Sequence, residues 1–271
     1  MKRIVLFSPG GYIGGFIKAK IERIREIQLY EVSRSSDLEQ YEGDYDILIY
    51  SAAVSNATTE KLLQDNVGAA INMMRFSREH HVKRVIYLSS DSVYGELNTD
   101  IVTEDTIMVN PNVYGVTKYL AEKVILESGI PYYILRMPGV VGRVWRDVFI
   151  CNTISKIKEG EHLRLYNIDR LFNNILHIDD LITFIILLCE REDMDDKQIF
   201  LLGNTELVKL KEILVYIKEF YHSGSLICSE DTDQKRYFTL DVTKAIQYGY
   251  VSKGIKNIIE ELCRLKEREV L

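Results

Sequence analysis

Short apolar runs alternate with amphipathic stretches through the first half of the chain. The runs are five or six residues long and rich in Ile, Val, Leu and Tyr, as is typical of strands buried on both faces. The stretches between them space their apolar residues as helices do. This alternation predicts an α/β fold with a doubly wound parallel sheet that binds ligands at the carboxyl ends of its strands. The predicted strands are 3–7, 27–32, 47–51, 85–89 and 132–137, and the predicted helices are 14–25, 60–80 and 113–128.

Beyond residue 142 the pattern is less regular, with helices separated by short apolar runs. We therefore expect a core, residues 1–140 plus 178–205, and a small discontinuous α/β lobe, residues 141–177 plus 206–271. The predicted helices of this part are 148–159, 178–189, 207–220 and 253–267. Residues 162–166 form a short apolar run, and 198–202 is a predicted strand.

Three polar side chains suggest acid/base chemistry. Ser90 follows the apolar run 85–89, so it lies at the carboxyl end of a buried strand. Tyr114 and Lys118 are four residues apart in a predicted helix and therefore share one face. A phenol beside an ammonium, with a hydroxyl to share its proton, can move a proton on and off an alcohol or sugar oxygen. Residues 91–110 join these segments and are polar and irregular, so we expect a long loop that borders the site.

A Gly-rich turn follows the first predicted strand and precedes the first predicted helix. Strand, turn and helix in this order favour binding of a dinucleotide, because free backbone amides at a helix start attract a pyrophosphate. The residues of the turn are Ser8, Pro9, Gly10, Gly11, Tyr12, Ile13 and Gly14.

Together these segments resemble the extended short-chain dehydrogenase/reductase family of nucleotide-sugar epimerases, dehydratases and ketoreductases. The resemblance covers most of the chain and implies a Rossmann-like core that binds a dinucleotide and a lobe that caps the substrate. It is carried by six motifs in the family's order, the first of them imperfect because Ser8 takes the place of a glycine. They are G-x-x-G-x-x-G at 8–14, D-x-V-I-H-x-A-A at 46–53, S-S-x-x-V-Y-G at 89–95, Y-x-x-x-K at 114–118, R-x-x-x-V-x-G at 136–142 and V-H-V-x-D at 176–180.

The resemblance implies roles for individual residues. Tyr114 exchanges the proton of a substrate hydroxyl, Ser90 bonds the substrate oxygen, and Asp91 completes the catalytic group. Lys118 bonds the cofactor ribose and is expected to lower the pKa of Tyr114. The implied cofactor site comprises Ser8, Gly10, Gly11, Tyr12, Ile13, Gly14, Ser33, Arg34, Ser51, Ala52, Ala53, Asn66, Ser89, Tyr114, Lys118 and Met137. The implied substrate contacts are Ser92, Arg143, Arg170 and Asn173.

The end of the second strand bears on the choice of dinucleotide. Arg34 and Ser33 favour the 2′-phosphate of NADP, whereas Glu31 favours NAD if the strand ends earlier. We lean to NADP. From Arg34 to Asp46 the chain is much shorter than in typical family members, so the helix and strand that usually supply an adenine-side Asp are expected to be missing. A serine at position 8 is expected to weaken binding or shift the turn.

The resemblance also bears on the reaction. Ser92 stands where the family's 4,6-dehydratases have a Glu, and a hydroxyl of ordinary pKa is a poor substitute for a carboxylate base. Dehydration is therefore disfavoured, and we expect an NAD(P)-dependent epimerase or 4-ketoreductase acting on a nucleotide-activated sugar. The alternatives are a reductase of a non-sugar carbonyl compound and a catalytically weak dinucleotide-binding sensor or scaffold. A homodimer is expected through the helices that carry Val67, Ala70, Ile71, Met74, Leu120, Ile125 and Leu126.

Composition narrows the class of protein. The net charge of −6 argues against general affinity for nucleic acid. No apolar run reaches the length of a membrane span and no signal peptide is recognised, so we expect no membrane partner and a cytoplasmic location. Four scattered cysteines, without a C-x-x-C pair, predict reduced thiols rather than disulfides or a metal site.

Overall fold

The computed structural model describes residues 1–193, 196–233 and 236–268. The chain divides into two compact units, each assembled from separate stretches of sequence. Unit 1 comprises Met1–Gly95, Met108–Arg136 and Ile182–Phe200, and unit 2 comprises Glu96–Ile107, Met137–Leu181 and Leu201–Leu271. The functional division into a dinucleotide-binding core and a substrate-capping lobe stays a prediction.

Strands and helices alternate along unit 1, whereas unit 2 contains short strands between longer helices. The strands are β1 (Lys2–Phe7), β2 (Ile27–Val32), β3 (Ile47–Tyr50), β4 (Arg84–Leu88), β5 (Asn98–Val102), β6 (Tyr132–Arg136), β7 (Val140–Val141), β8 (Leu163–Tyr166), β9 (Leu171–Phe172), β10 (Leu176–His177), β11 (Gln198–Leu201), β12 (Val208–Lys209), β13 (Ile227–Glu230) and β14 (Tyr237–Leu240). The helices are α1 (Tyr12–Ile21), α2 (Thr59–Leu62), α3 (Ala69–Glu79), α4 (Val113–Leu126), α5 (Phe149–Lys158), α6 (Ile178–Glu190), α7 (Leu210–Tyr221), α8 (Thr243–Gln247) and α9 (Ile255–Arg268).

Unit 1 is built on a six-stranded sheet in the order β2-β1-β3-β4-β6-β11, which confirms the predicted fold class. Strands β2, β1, β3, β4 and β6 pair in parallel. Phe7 is opposite both Val32 and Tyr50, and Tyr50 is opposite Tyr87, so these strands end together. The turns that follow β1, β2, β3 and β4 therefore lie side by side at the carboxyl ends of the strands.

The sheet is held by apolar side chains on both faces. Strands β3 and β4 are buried along their whole length, as their uninterrupted apolar sequences predict. Strand β2 is only partly buried, because it forms one edge of the sheet. The short connection expected after Arg34 is present, and residues 33–46 contain a single 3₁₀ turn, Leu38–Gln40, in place of a helix and strand.

The helix predicted over 60–80 is interrupted by a π-helical turn, Leu63–Gly68, between α2 and α3. The side chain of Asn66 in this turn accepts a hydrogen bond from Val54 N and donates one to Val54 O, both at 2.9 Å. It also donates to Thr117 Oγ1 of α4 at 3.0 Å. These tertiary contacts favour the wider turn, and no sequence period reveals them. π-Helical turns are frequent at functional sites.

The expectation of an irregular loop over 91–110 is wrong in two places. Residues Asp91–Tyr94 form a 3₁₀ turn, and within unit 2 strand β5 pairs in parallel with β14. The partner strand lies far away in sequence, and Val102 is the buried residue of β5. The strand therefore has little local pattern by which to recognise it.

Unit 2 is organised around an apolar cluster to which helices α5, α7 and α9 contribute. Its strands form two-stranded pairs, namely β7 with β10, β8 with β13, β9 with β12, and β5 with β14. No helix among the residues that the structure describes has the length and apolarity needed to cross a membrane.

Candidate active site

Helix α4 carries the predicted acid/base pair, Tyr114 and Lys118. Asn112 caps the helix, because its side-chain Oδ1 accepts a hydrogen bond from the backbone N of Gly115 at 2.8 Å. A Cβ at Gly115 would lie 2.2 Å from the backbone O of Ser92, so glycine is required where the helix meets the turn after β4. This close packing places the first turn of α4 beside the carboxyl end of β4.

The side chains of Ser90 and Tyr114 come together at this junction, closely enough for Ser90 to affect the pKa of Tyr114. Ser90 Oγ accepts a hydrogen bond from Ser92 N at 3.1 Å and lies 3.4 Å from Asp91 Oδ1. Burial raises the pKa of Tyr114 to about 12, although Ser90 lowers it. The expectation that Lys118 lowers this pKa is wrong for this structure, because the groups that shift it are Ser90 and Asp91, together with burial. Tyr114 is therefore protonated at neutral pH and can donate its proton.

Lys118 is 1% exposed and reaches the end of β4. Its Nζ donates a hydrogen bond to the backbone O of Leu88 at 2.6 Å and lies 4.2 Å from the centre of the Tyr87 ring. Burial lowers the pKa of Lys118 to about 7, whereas the negative charge of Glu122 raises it. The protonation state of Lys118 at neutral pH is therefore sensitive to small changes in the charges around it.

The lowered pKa of Lys118 predicts a pH-dependent stability. Between pH 7 and 10.5 the unfolded chain holds a proton on Lys118 that the folded chain has released. Stability rises with pH wherever the unfolded state binds more protons, so wild type should gain stability relative to Lys118→Met as the pH rises through this window. Urea unfolding of both proteins, at neutral pH and at about pH 9, measures the difference. A difference that does not change with pH would contradict the lowered pKa.

A buried ion pair between Glu122 and Arg136 lies beside the acid/base residues, and the sequence motifs do not identify this pair. Glu122 is fully buried on α4 and accepts hydrogen bonds from Arg136 Nη2 at 2.8 Å and from Ser89 Oγ at 2.5 Å. Arg136 Nη1 donates to the hydroxyl of Tyr94 at 2.8 Å. The network joins α4 to the ends of β4 and β6. Its sequence signal is an acidic residue four positions after Lys118, on the same buried helix face.

The turn after β1 has the features of a phosphate site. A Cβ at Gly14 would lie 2.1 Å from the backbone O of Ser8, so the turn closes only around glycine. Gly10 and Gly11 are exposed, and helix α1 has no acidic residue in its first turn. Accessible backbone amides at an unopposed helix N-terminus attract a pyrophosphate. The residues present therefore fit the phosphates of a dinucleotide.

Ser8 adopts a left-handed backbone conformation, with φ of 69°. A residue with a Cβ is strained there by about 1–2 kcal/mol, so Ser8→Gly should stabilise the protein by about 1 kcal/mol after the entropy of glycine is counted. Thermal unfolding should show a midpoint about 2–4 °C higher. Ser55→Gly, at an exposed position without positive φ, is the control and should lower the midpoint. A lower midpoint for Ser8→Gly as well would contradict the strain.

Several other residues of the implied cofactor site are engaged in protein contacts. Ser51 Oγ donates a hydrogen bond to Phe7 O at 2.8 Å, which ties β3 to β1. Ala52 is buried beside it, and Met137 is also buried. Ala53 is exposed. Their contacts with a cofactor stay a prediction.

A cavity of about 210 Å³ lies where β1 and β2 end. Arg34 lines this cavity, and its Nη1 lies 3.2 Å from Asp65 Oδ2 of the π-helical turn. Lys61 Nζ lies 2.8 Å from the same oxygen. The cavity is lined by Phe7, Ser33, Arg34, Ser36, Leu38, Gln64, Asp65, Ala69, Asn72 and Met73.

The residues expected to contact substrate from unit 2 are engaged with other side chains or with backbone. Arg143 Nε lies 2.6 Å from Asp179 Oδ1, and Arg170 Nη1 lies 3.6 Å from Asp100 Oδ1. Asn173 is 2% exposed, and its side-chain amide makes hydrogen bonds to three backbone groups. The side chain of Asn173 therefore holds backbone segments together in this structure, and its contact with substrate stays a prediction.

The sequence of the chain matches a known protein family. Residues 16–203 match the NAD dependent epimerase/dehydratase family. The chain belongs to this family. The membership predicted from the six motifs is thereby confirmed. Ser90, Tyr114 and Lys118 lie within the matched residues, and the Gly-rich turn lies just before them.

The relatives of this family member differ in how much of the chain they match. An uncharacterized protein of Methanocaldococcus jannaschii is 27% identical over 201 residues, 70% of this chain and 61% of that protein. Putative UDP-arabinose 4-epimerase 4 of Arabidopsis thaliana is 32% identical over 110 residues, 37% of this chain and 25% of that protein. The chain thus matches less than two thirds of the length of either relative.

A solved structure shows the same fold over nearly the whole chain. UDP-glucuronic acid 4-epimerase from Bacillus cereus, in complex with NAD, has a TM-score of 0.82 to this family member. The comparison covers 99% of this chain and 100% of that chain, at 16% identity. At this identity the likeness establishes the fold.

Proposed function

We propose that the protein is an NAD(P)-dependent enzyme that acts on a nucleotide-activated sugar, as an epimerase or a 4-ketoreductase. The observation that carries this proposal is the approach of the Ser90 and Tyr114 side chains, one helical turn from the buried Lys118. The Gly-rich turn belongs to the same unit and supports a dinucleotide. The names of the Arabidopsis relative and the Bacillus structure, both 4-epimerases of UDP-sugars, support the substrate class.

The side chains of the site perform the proton transfer. A bound dinucleotide supplies the hydride chemistry at its nicotinamide. Tyr114 gives its proton to the oxygen of a sugar ketone, or takes the proton of a sugar hydroxyl in the reverse direction. Ser90 bonds the same oxygen and shares the proton. Lys118 has a pKa near neutrality, so it can become charged as negative charge develops on the Tyr114 oxygen.

The residue after Asp91 argues against dehydration. Ser92 supplies a hydroxyl that lies 3.1 Å from Ser90 Oγ. Loss of water from a sugar needs a base at the carbon that loses the proton, and a hydroxyl of ordinary pKa is a poor one. Epimerisation and ketone reduction need only the proton carried by Tyr114 and the hydride of the cofactor.

Calorimetric titration with NAD, NADH, NADP and NADPH tests the cofactor part of the proposal. We expect binding of at least one dinucleotide by the wild type and its loss in Gly14→Val, because added carbon atoms there collide with Ser8. Tightly held NAD in the purified protein would indicate an epimerase, and exchangeable NADPH would indicate a reductase. Absence of binding by all four at millimolar concentration would contradict the proposal.

A sensor or scaffold that binds a dinucleotide without turnover is the second candidate. The short connection after Arg34 favours it, because residues 33–46 contain a single 3₁₀ turn in place of the helix and strand expected on the adenine side. It predicts dinucleotide binding but no change at the nicotinamide when nucleotide-sugars are added.

A homodimer through α3 and α4 is part of the proposal. Ile71 and Leu120 are 47% and 40% exposed and are available for such a contact. Ala70, Met74 and Ile125, also expected there, are buried in the core of unit 1 instead. Light scattering should show a dimer for wild type and a monomer for Leu120→Glu, because a two-fold contact repeats the added charge on both copies. A monomeric wild type at tens of micromolar would contradict the dimer.

A further inference from the structure

Asp65 is the acidic residue among the described side chains that line the cavity at the ends of β1 and β2. Its side chain is 12% exposed and is fixed by two cations, Lys61 at 2.8 Å and Arg34 at 3.2 Å. The contact with Lys61 keeps the pKa of Asp65 below its ordinary value. A fixed, charged carboxylate therefore lies at this end of the sheet.

Strand β2 does not supply a carboxylate to the cavity. Glu31 lies 2.6 Å from Lys18 in an exposed ion pair and is absent from the cavity lining. The strand ends at Val32, and Ser33 and Arg34 follow. Among the described residues that line the cavity, a carboxylate acceptor for ribose hydroxyls therefore comes from the π-helical turn rather than from the strand.

We propose that Asp65 selects NAD over NADP by accepting hydrogen bonds from the adenosine ribose and by opposing a 2′-phosphate. The inference rests on the proposed function, since it presupposes that a dinucleotide binds. An ionised carboxylate accepts hydrogen bonds from hydroxyls but repels a phosphate. The carboxylate of Asp65 also pairs with the guanidinium of Arg34, which is the group that favours NADP in the sequence. A 2′-phosphate could use Arg34 only at the expense of the pair with Asp65.

Titration calorimetry with NAD and NADP on the wild type, Asp65→Asn and Glu60→Gln tests the proposal. The wild type should bind NAD more tightly. In Asp65→Asn the ratio of the two affinities should shift towards NADP by about tenfold or more, as is typical of one hydrogen bond to a charged group. Glu60 is exposed on the neighbouring helix α2, so Glu60→Gln removes the same charge and should leave the ratio unchanged.

Arg34→Ala shows whether Asp65 restrains Arg34. In the wild-type background the substitution should change NADP affinity little, because the guanidinium is already engaged. In the Asp65→Asn background it should weaken NADP and leave NAD unchanged, so the two substitutions are coupled. Independent effects would contradict the restraint.

The possible failures are distinguishable. If neither dinucleotide binds to any variant, the proposed function is wrong. If both bind but Asp65→Asn changes the two affinities equally, or if the wild type prefers NADP, the inference about Asp65 is wrong while the proposed function stands.

Discussion

Tyr114→Phe is expected to abolish most turnover on a confirmed nucleotide-sugar while leaving the fold and dinucleotide affinity intact. The substitution keeps the half-buried ring and removes the hydroxyl that lies beside the Ser90 side chain. General acid/base groups contribute about 10²–10⁴-fold to rate, so kcat should fall by that factor. Steady-state kinetics and calorimetry on the same preparation separate loss of chemistry from loss of binding.

Tyr119→Phe is the matched control. Tyr119 is the next residue after Lys118 on α4 and lies beside Lys123, whose Nζ is 5.5 Å from the centre of its ring. Removing this hydroxyl should leave kcat near the wild-type value. The proposed mechanism is wrong if Tyr114→Phe turns over as fast as Tyr119→Phe.

Arg136→Met should destabilise the protein by about 3–5 kcal/mol, because it leaves the carboxylate of Glu122 buried without its partner. Arg136 and Glu122 are 4% and 0% exposed, so water cannot replace the lost contact. Burial lowers the pKa of Arg136, but hydrogen bonds with Glu122 outweigh that effect and raise it overall. Urea unfolding measures the change in the free energy of unfolding.

The double variant Arg136→Met/Glu122→Leu separates the ion pair from the packing. Replacing both charges by apolar side chains is often neutral or stabilising, so the double variant should recover most of the stability lost in Arg136→Met. Its activity should remain low, because Glu122 also affects the charge of Lys118. A double variant no more stable than Arg136→Met would show that the loss comes from packing rather than from an unpaired charge.

The fold of unit 1 could be predicted because each strand carries its own signal. Strand β2 runs from Ile27 to Val32 as its apolar run predicts, and β4 begins and ends within one residue of its predicted bounds. Buried parallel strands are apolar on both faces, so a short apolar run identifies them without knowledge of their partners. Tyr114 and Lys118 likewise lie on one helix, as their spacing predicts.

Features that depend on distant partners could not be predicted in this way. Strand β5 is recognisable only beside β14, and the π-helical turn depends on the contacts of Asn66 with other segments. Glu122 matters because Arg136 approaches it from β6. The raised pKa of Tyr114 follows from burial, which a sequence pattern does not measure.

The nicotinamide spectrum tests the central claim most directly. The dinucleotide complex of the wild type is mixed with UDP-sugars, and the absorbance of the nicotinamide is followed in parallel with Tyr114→Phe. We predict that a UDP-sugar changes the redox state of the nicotinamide in the wild type, by reduction of NAD(P)⁺ or oxidation of NAD(P)H, and that Tyr114→Phe slows this change by about 10²–10⁴-fold. A wild-type complex that binds both dinucleotide and UDP-sugar without any change at the nicotinamide would contradict the account.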